Sequence, residues 1–317
     1  MRLSTQVRFL QTSRLTWGVY ALLFICFLFL PWIIDGYYIH ILILIGVYVL
    51  LSSSLDLALG TTGLLQLGHA GFYGIGAYVG AIVSTRIFPN TWLGFWIGLP
   101  IVVVVCMIAG LVIGVPTLRL KGHYFGLATL GFGEIVYGIL LNWQSVTNGS
   151  FGIKSIPSPH IGSIDLGQRE YFYYLIWIVV ALILWILYAL RKSRFGYMWR
   201  AVREDEVAAG TMGIHVFKQK VIVLMISAGI AGIAGSFFAH YISYISPDNF
   251  TLDESILVLS MVIIGGKDSL RGVLLGSFLL VVLPEILRPV AQYRMLIYGF
   301  ILAVMILYRP EGIVGKK

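Results

Sequence analysis

Apolar runs of membrane-crossing length recur along the whole chain, parted by short polar loops. The pattern predicts ten hydrophobic segments, at 17–34, 39–59, 67–85, 92–115, 123–142, 171–190, 219–243, 254–266, 272–287 and 295–308. The segments 254–266 and 272–287 are short for a full crossing, and only the turn-like GGKDSLR parts them. They read either as full spans or as a re-entrant pair of half-helices. No polar stretch is long enough for a soluble domain, so the expectation is one transmembrane domain over 1–317. Within it lie an N-terminal arm (1–16) and two long polar loops, 143–170 and 191–218. Asn148, Gly149, Pro157, Pro159 and Gly162 mark turns in the first of these. The fold class expected is all-α and integral to the membrane, with about ten transmembrane or half-membrane helices, some of them interrupted at glycine-rich points.

Charge then orients the chain. With the N-terminus inside, all 22 Lys and Arg except Arg86, Lys154, Arg169, Arg288 and Arg294 fall on the cytoplasmic side. This is the positive-inside bias, and it places both termini in the cytoplasm, loop 143–170 outside and loop 191–218 inside. The hydrophobic run after Arg14 is too long for a signal-peptide core and has no small-residue cleavage site, so it reads as a retained span. The chain is 59% hydrophobic and 11% charged, with a net charge of +8 and a mean hydropathy of +0.91. In a soluble protein that net charge would point to nucleic acid. Here it points to inside loops facing anionic membrane lipid, and no nucleic-acid partner is expected. Cys26 and Cys106 both sit in apolar runs, where packing is the expected role.

Glycine changes the picture of residues 59–80, LGTTGLLQLGHAGFYGIGAYVG. Gly60, Gly63, Gly68, Gly71, Gly74, Gly76 and Gly80 stand there among Thr61, Thr62, Gln66, His69 and Tyr73. A lipid-facing helix has no use for this mixture. It fits either a helix broken beside a water-filled cavity, whose freed backbone groups need polar partners, or a tightly packed glycine seam. A shorter echo, LKGHYFGLATLGFGE at 120–134, repeats the Gly-His step and hints at an internal repeat. Five G-x-x-x-G pairs occur, at Gly76/Gly80, Gly94/Gly98, Gly110/Gly114, Gly122/Gly126 and Gly272/Gly276, close to the number that random placement would give.

Three carboxylates, Asp56, Glu134 and Glu285, fall inside predicted spans and must face the protein interior or an interface. Glu134 follows Gly126, Thr129 and Gly133, a small polar face. It reads as part of a transport path, as a proton-coupling group, or as a packing carboxylate. His69 and His123 sit near inner span ends, where a backbone hydrogen bond is the plain expectation. No catalytic or metal-binding motif stands out. GGKDS at 265–269 has Asp268 where a phosphate-binding loop needs Ser or Thr, and there is no H-E-x-x-H, C-x-x-C or G-x-S-x-G. The expectation is a non-enzyme, so any ATP-driven work must come from another chain.

The inside loop carries a short element of its own. Arg203, Glu204, Asp205, Glu206, Val207, Ala208, Ala209, Gly210, Thr211, Met212 and Gly213 read as one short helix. Its acidic first turn complements the helix dipole, and Gly213 ends it. Its apolar face is formed by Val207, Ala208, Thr211 and Met212. So short a helix needs a packing partner.

Several motifs in order carry a resemblance over about residues 40–315: LGTTGLLQLGHAGFYGIGAY, LRLKGHYFGLATLGFGEI, TNGSFGI, RFGYMWRAVREDEVAAGTMGI, SMVIIGGKDSLRGVLLGSF and YRPEGIVG. The chain resembles the permease subunits of branched-chain amino-acid ABC importers, and within them the second permease of the pair, which has the long outside loop. The resemblance implies an importer in the cell (inner) membrane for branched-chain or related amino acids. It implies four partners besides: a second, homologous permease, two ATPase subunits that bind ATP and Mg, and an extracytoplasmic solute-binding protein. It makes Arg203–Gly213 an ATPase-coupling helix, with Gly210 standing where the family more often has a helix former. It assigns the path to the region of Gly63, Gln66, Gly68, His69, Gly71, Tyr73, Thr129, Gly133 and Glu134. Relatives that carry urea or short amides leave the substrate open. Two other classes stay open on the residues themselves: an ion-coupled secondary transporter using Glu134, and a passive channel.

Overall fold

The computed structural model describes residues 29–89, 93–120, 123–162 and 164–286, with short pieces at 299–300, 304, 307–308 and 312–314. The main helices are α1 (Gly36–Asp56), α2 (His69–Ile82), α3 (Leu93–Thr117), α4 (His123–Asn142) and α5 (Arg169–Lys192). They are followed by α6 (Arg194–Glu204), α7 (Glu206–Thr211), α8 (Val216–Ile242), α9 (Leu252–Gly265) and α10 (Leu270–Ile286). Two-residue strands form two antiparallel ribbons, and the class is all-α as expected.

Among the described residues, five stretches are long and apolar enough to cross a membrane: Gly36–Thr61, Leu93–Thr117, Tyr124–Asn142, Arg169–Lys192 and Val216–Ile242. They match the expected segments 39–59, 92–115, 123–142, 171–190 and 219–243. Segment 67–85 takes another form. Its α-helix starts only at His69, runs for 14 residues and passes into a π-helical stretch, Val83–Ile87. In place of 254–266 and 272–287 stand α9 and α10; α9 has 14 residues, under the roughly 20 that a full crossing needs, and α10 is described over 17, up to Ile286. They pack on each other across a tight turn in which Gly266 has φ 115°. Segments 17–34 and 295–308 fall mostly outside the described residues, and the arm 1–16 wholly so.

The centre of the bundle is α8, which runs along α2 and α3 and against α1. The reason lies in its small residues. Gly232 lies against Gly76 of α2, Gly235 against the Tyr73 carbonyl, and Ala228 beside Gly110 of α3. A methyl group on Gly76 or Gly235 would collide with backbone across the seam. Without a hydrophobic drive between helices in lipid, such close approach is what holds a bundle together. The best window of α1 is 83% buried and that of α8 is 72%, against 28% for α3 and α5 and 33% for α4. A helix that is apolar all round is therefore interior for the first two. For the other three, the apolar outer surface is left for lipid or a partner.

Loop 143–170 folds back onto the connection after α8. Ile153–Lys154 (β1) pairs antiparallel with Tyr244–Ile245 (β4), and His160–Ile161 (β2) with Ile164–Asp165 (β3). The expected turn formers Asn148, Gly149 and Gly162 have φ of 63°, 57° and 60°. Both Gly-His steps noted in the sequence stand at helix starts, at His69 and at His123.

Replacing Gly235 with Val should overpack the α2–α8 seam and cost about 1–3 kcal/mol. Thermal unfolding of the detergent-solubilised chain would register this as a lower Tm. An unchanged Tm would contradict the seam.

Candidate functional site

Between α1 and α2 the backbone leaves the α-helical path. Leu57–Thr61 form a π-helical turn, Gly63 adopts the left-handed region at φ 79°, and α2 starts at His69 inside the protein. Turns of the π type are frequent at functional sites. A buried helix start leaves amides without helical partners, and side chains of other helices supply them. The Leu67 amide donates to Thr129 Oγ1 of α4 at 3.0 Å, and the Ala70 amide to Ser255 Oγ of α9 at 2.9 Å. Gly68 is pressed onto the Thr129 carbonyl and Gly133, where any Cβ would collide, and Gly71 lies against the Phe132 ring. Both sequence readings of this segment thus hold in part: the helix is broken, and its glycines form a tight seam with α4.

Beside the break lies a buried polar chain. His69 Nε2 is 2.7 Å from Ser54 Oγ, and Nδ1 is 3.2 Å from the Gln66 side-chain amide. Ser54 Oγ already donates to the Leu51 carbonyl, so the proton between Ser54 and His69 belongs to Nε2. Nδ1 is then an acceptor and calls for the Gln66 nitrogen opposite it. Turning the amide that way also gives a partner to a Gln66 Nε2 that otherwise has none among the described residues. His69 also has the expected backbone hydrogen bond, with Leu51, beside these side-chain partners. Tyr73 is buried among Phe238 and Phe250, inside the core.

Glu134 does not face the interior. It lies on the exposed side of α4, with Ile135 and Ile139 also exposed and open space around Gly131 and Gly138. It rims a cleft with Leu67, Gly68, Thr251 and Ser255 that is too narrow in this conformation to admit water. The other two acids in spans have partners. Glu285 accepts a hydrogen bond from Tyr37, and Asp56 forms a buried ion pair.

That pair is the centre of a charge cluster. Arg191, at the end of α5, donates to Asp56 Oδ2 at 2.7 Å, and both are almost fully buried. The Asp268 amide, in the α9–α10 turn, donates to Asp56 Oδ1 at 2.9 Å. The Asp268 carboxylate receives Arg200 of α6 at 3.0 Å and Thr61 of the π turn at 3.2 Å, with Arg191 at 3.7 Å. Arg203 donates to the Gly60 carbonyl at 2.5 Å and stands 3.9 Å from Asp268. A Cβ on Gly60 would collide with the Asp56 carboxylate. Sequence reasoning missed Asp268, Arg191 and Arg200 as a unit. The available signal was that an acid in a span needs a cation on the same face, and RKSRFG and GGKDSLR both lie on that face.

The polar loop 191–218 differs from its expected form. Its first part is not loop but the amphipathic helix α6, with Gly196, Trp199 and Val202 buried at near-helical spacing. Trp199 Nε1 donates to Gln219 of α8 at 3.0 Å. Arg203 and Glu204 belong to the end of α6, not to the next helix. Asp205 is the N-cap of α7, its side chain accepting from the Val207 and Ala208 amides, so only Glu206 is in the first turn. Gly210 stays inside α7, which runs to Thr211, and Gly213 at φ 83° ends the turn. Ala209 faces inward, and Lys220 of α8 holds Glu206 at 2.5 Å. Val207 and Met212 stand out, 76% and 83% exposed.

A family model described as "Branched-chain amino acid transport system / permease component" matches residues 37–308. The chain is similar to the high-affinity branched-chain amino acid transport system permease protein LivM of Escherichia coli (strain K12), at 36% identity over 306 residues, 89% of this chain and 71% of that protein. It is 25% identical to the probable branched-chain amino acid transport permease protein LivM of Methanocaldococcus jannaschii, over 87% of this chain and 93% of that one. It is 23% identical to the autoinducer 2 import system permease protein LsrC of Salmonella typhimurium, over 95% and 87%. No solved structure matches significantly.

Removing one partner of the buried pair, as in Asp56→Leu, should cost about 3–5 kcal/mol, because it strands the Arg191 charge. The double variant Asp56→Leu/Arg191→Leu should regain most of that. A double variant no more stable than the single one in thermal unfolding would contradict the pairing.

Proposed function

The chain belongs to the branched-chain amino acid transport system permease family, and from that premise we propose that it is the second permease subunit of an ABC importer in the inner membrane. On this reading it pairs with a homologous permease, and an extracytoplasmic binding protein delivers a branched-chain or related amino acid. Two partner ATPases, which bind ATP and Mg, drive the step. The chain itself catalyses nothing. Both termini and α6–α7 lie in the cytoplasm.

The observation that carries the reading is how α7 is mounted. It is six residues long, too short to persist alone, yet it is capped by Asp205, pinned by Lys220 and backed by Ala209. Its Val207 and Met212 side chains are left outward. An apolar knob on a fixed base is suited to a groove in another protein. Movement of that knob has a route inward. It is joined to α6, whose Arg200 and Arg203 reach Asp268 and the Gly60 carbonyl at the helix break. A shift of α7 would thus be felt by the segment that shapes Gly63–Tyr73.

The exposed Glu134 supports a two-permease arrangement. A carboxylate on the outer face of a span cannot rest in hydrocarbon, so that face of α4 belongs to a partner or to an aqueous path between partners. The same position would suit ion coupling, and Glu134→Gln separates the two: transport that follows ATP rather than an ion gradient should survive it. The names of the relatives include branched-chain amino acids, autoinducer 2 and, for a putative permease of Haloferax volcanii, glucose. So varied a set supports the view that selectivity resides largely in the binding protein.

Val207→Asp/Met212→Asp should leave the fold intact and weaken ATPase capture by about 2 kcal/mol or more, as loss of interface anchors does. Co-purification of the ATPases with the tagged chain, together with uptake, measures it. Full capture and uptake in that variant would refute the docking role of α7.

A further inference from the structure

On the charge cluster, an open cavity of about 630 Å³ lies where the end of α5 meets α6 and the start of α10. Its wall carries four cations, Arg191, Lys192, Arg200 and Arg271, against one carboxylate, Asp268. That carboxylate is already taken: Arg200 holds it at 3.0 Å, and Arg191 stands at 3.7 Å. Lys192 and Arg271 have no carboxylate within ion-pair reach among the described residues. The Lys192 ammonium instead sits 4.4 Å from the Tyr188 ring centre. Arg191 is 5% exposed, yet its Nε has no hydrogen-bond partner among the described residues. The cavity therefore has surplus positive charge in its wall.

We infer that this cavity binds the phosphate headgroup of an anionic glycerophospholipid. The anion is set by charge and by the guanidinium groups, whose planar forks match phosphate oxygens. The lipid source is set by depth. Arg191 and Lys192 are the last two residues of a 24-residue membrane span, which puts them at the headgroup level. Tyr188 and Tyr197, also in the cavity wall, are 50% and 65% exposed, as residues of an interfacial aromatic belt are. Basic pockets between membrane helices are suited to acidic headgroups. A bound phosphate would meet the same Arg191–Asp268–Arg200 cluster that joins α6 to the helix break.

The test uses the full chain in its assembled complex, in nanodiscs of phosphatidylcholine containing phosphatidylglycerol, with retained lipid read by native mass spectrometry. The wild type should retain phosphatidylglycerol in preference to phosphatidylcholine. Lys192→Ala/Arg271→Ala should weaken retention roughly thirtyfold, about fivefold for each cation near the headgroups. Lys218→Ala/Arg119→Ala removes the same charge from exposed positions outside the cavity and should leave retention unchanged. If the first double variant lowers Tm, Lys192→Gln alone carries the test, with retention about fivefold weaker. The inference is overturned if both double variants lose the lipid equally, or if phosphatidylcholine is held as well. It is also overturned if inorganic phosphate displaces phosphatidylglycerol, which makes free phosphate the occupant, or if the partner ATPases fill the cavity and exclude lipid.

Discussion

The Asp56–Arg191 pair constrains much of the rest of this structure. A carboxylate at the end of an interior helix has no water to turn to, and removing it from water costs several kcal/mol unless a cation and further donors replace the lost hydration. Here Arg191 supplies the charge and the Asp268 backbone supplies the second donor. Satisfying that one carboxylate fixes where α5 ends and where the α9–α10 turn must sit. It also requires a glycine at position 60, since a side chain there would displace the acid. The pair is weak evidence for high stability. It is stronger evidence for register, because only one alignment of three chain segments satisfies it.

Around this joint the molecule divides into a rigid seam and an unfinished exterior. The α2–α8–α3 packing rests on glycine, alanine and serine, which let backbones meet. By contrast α3, α4 and α5 bury only a minor part of their best windows. For α3 and α5 lipid is an adequate neighbour. For α4 it is not, because Glu134 is exposed there beside unfilled space at Gly131 and Gly138. The break at Leu57–Gly68 lies between these two regions, with its freed amides satisfied by Thr129 and Ser255 of the helices flanking the cleft. A change in the angle of α4 or α9 would have to break or carry those bonds.

The spans were legible because apolar length is a local property; the five longest helices fall where hydropathy places them. The break was legible for the same kind of reason, since glycines among Thr, Gln and His have few uses in lipid. What was not legible depended on contacts between distant segments. Glu134 sits near the middle of the predicted span 123–142, but only packing decides which side of α4 it occupies. Helix α6 was hidden because its buried face is just Gly196, Trp199 and Val202 amid Arg194, Arg200 and Arg203, which reads as a charged loop. The start of α7 was misplaced by three residues, Arg203 instead of Glu206, because three acids in a row, Glu204, Asp205 and Glu206, can each serve as a first-turn charge. Only Asp205 has the extended backbone of a cap. The ion cluster joins residues more than 130 positions apart, beyond any periodicity argument.

The central claim is that the α6–α7 element acts on the helix break through the charge joint. Arg203 is the direct bridge, and it lies at the edge of the cluster, where its loss should spare the fold. The decisive measurement is binding-protein-stimulated ATP hydrolysis by the assembled transporter carrying Arg203→Gln. The account predicts normal assembly and basal hydrolysis, with stimulation and uptake both largely lost. Full stimulation with normal uptake would contradict it.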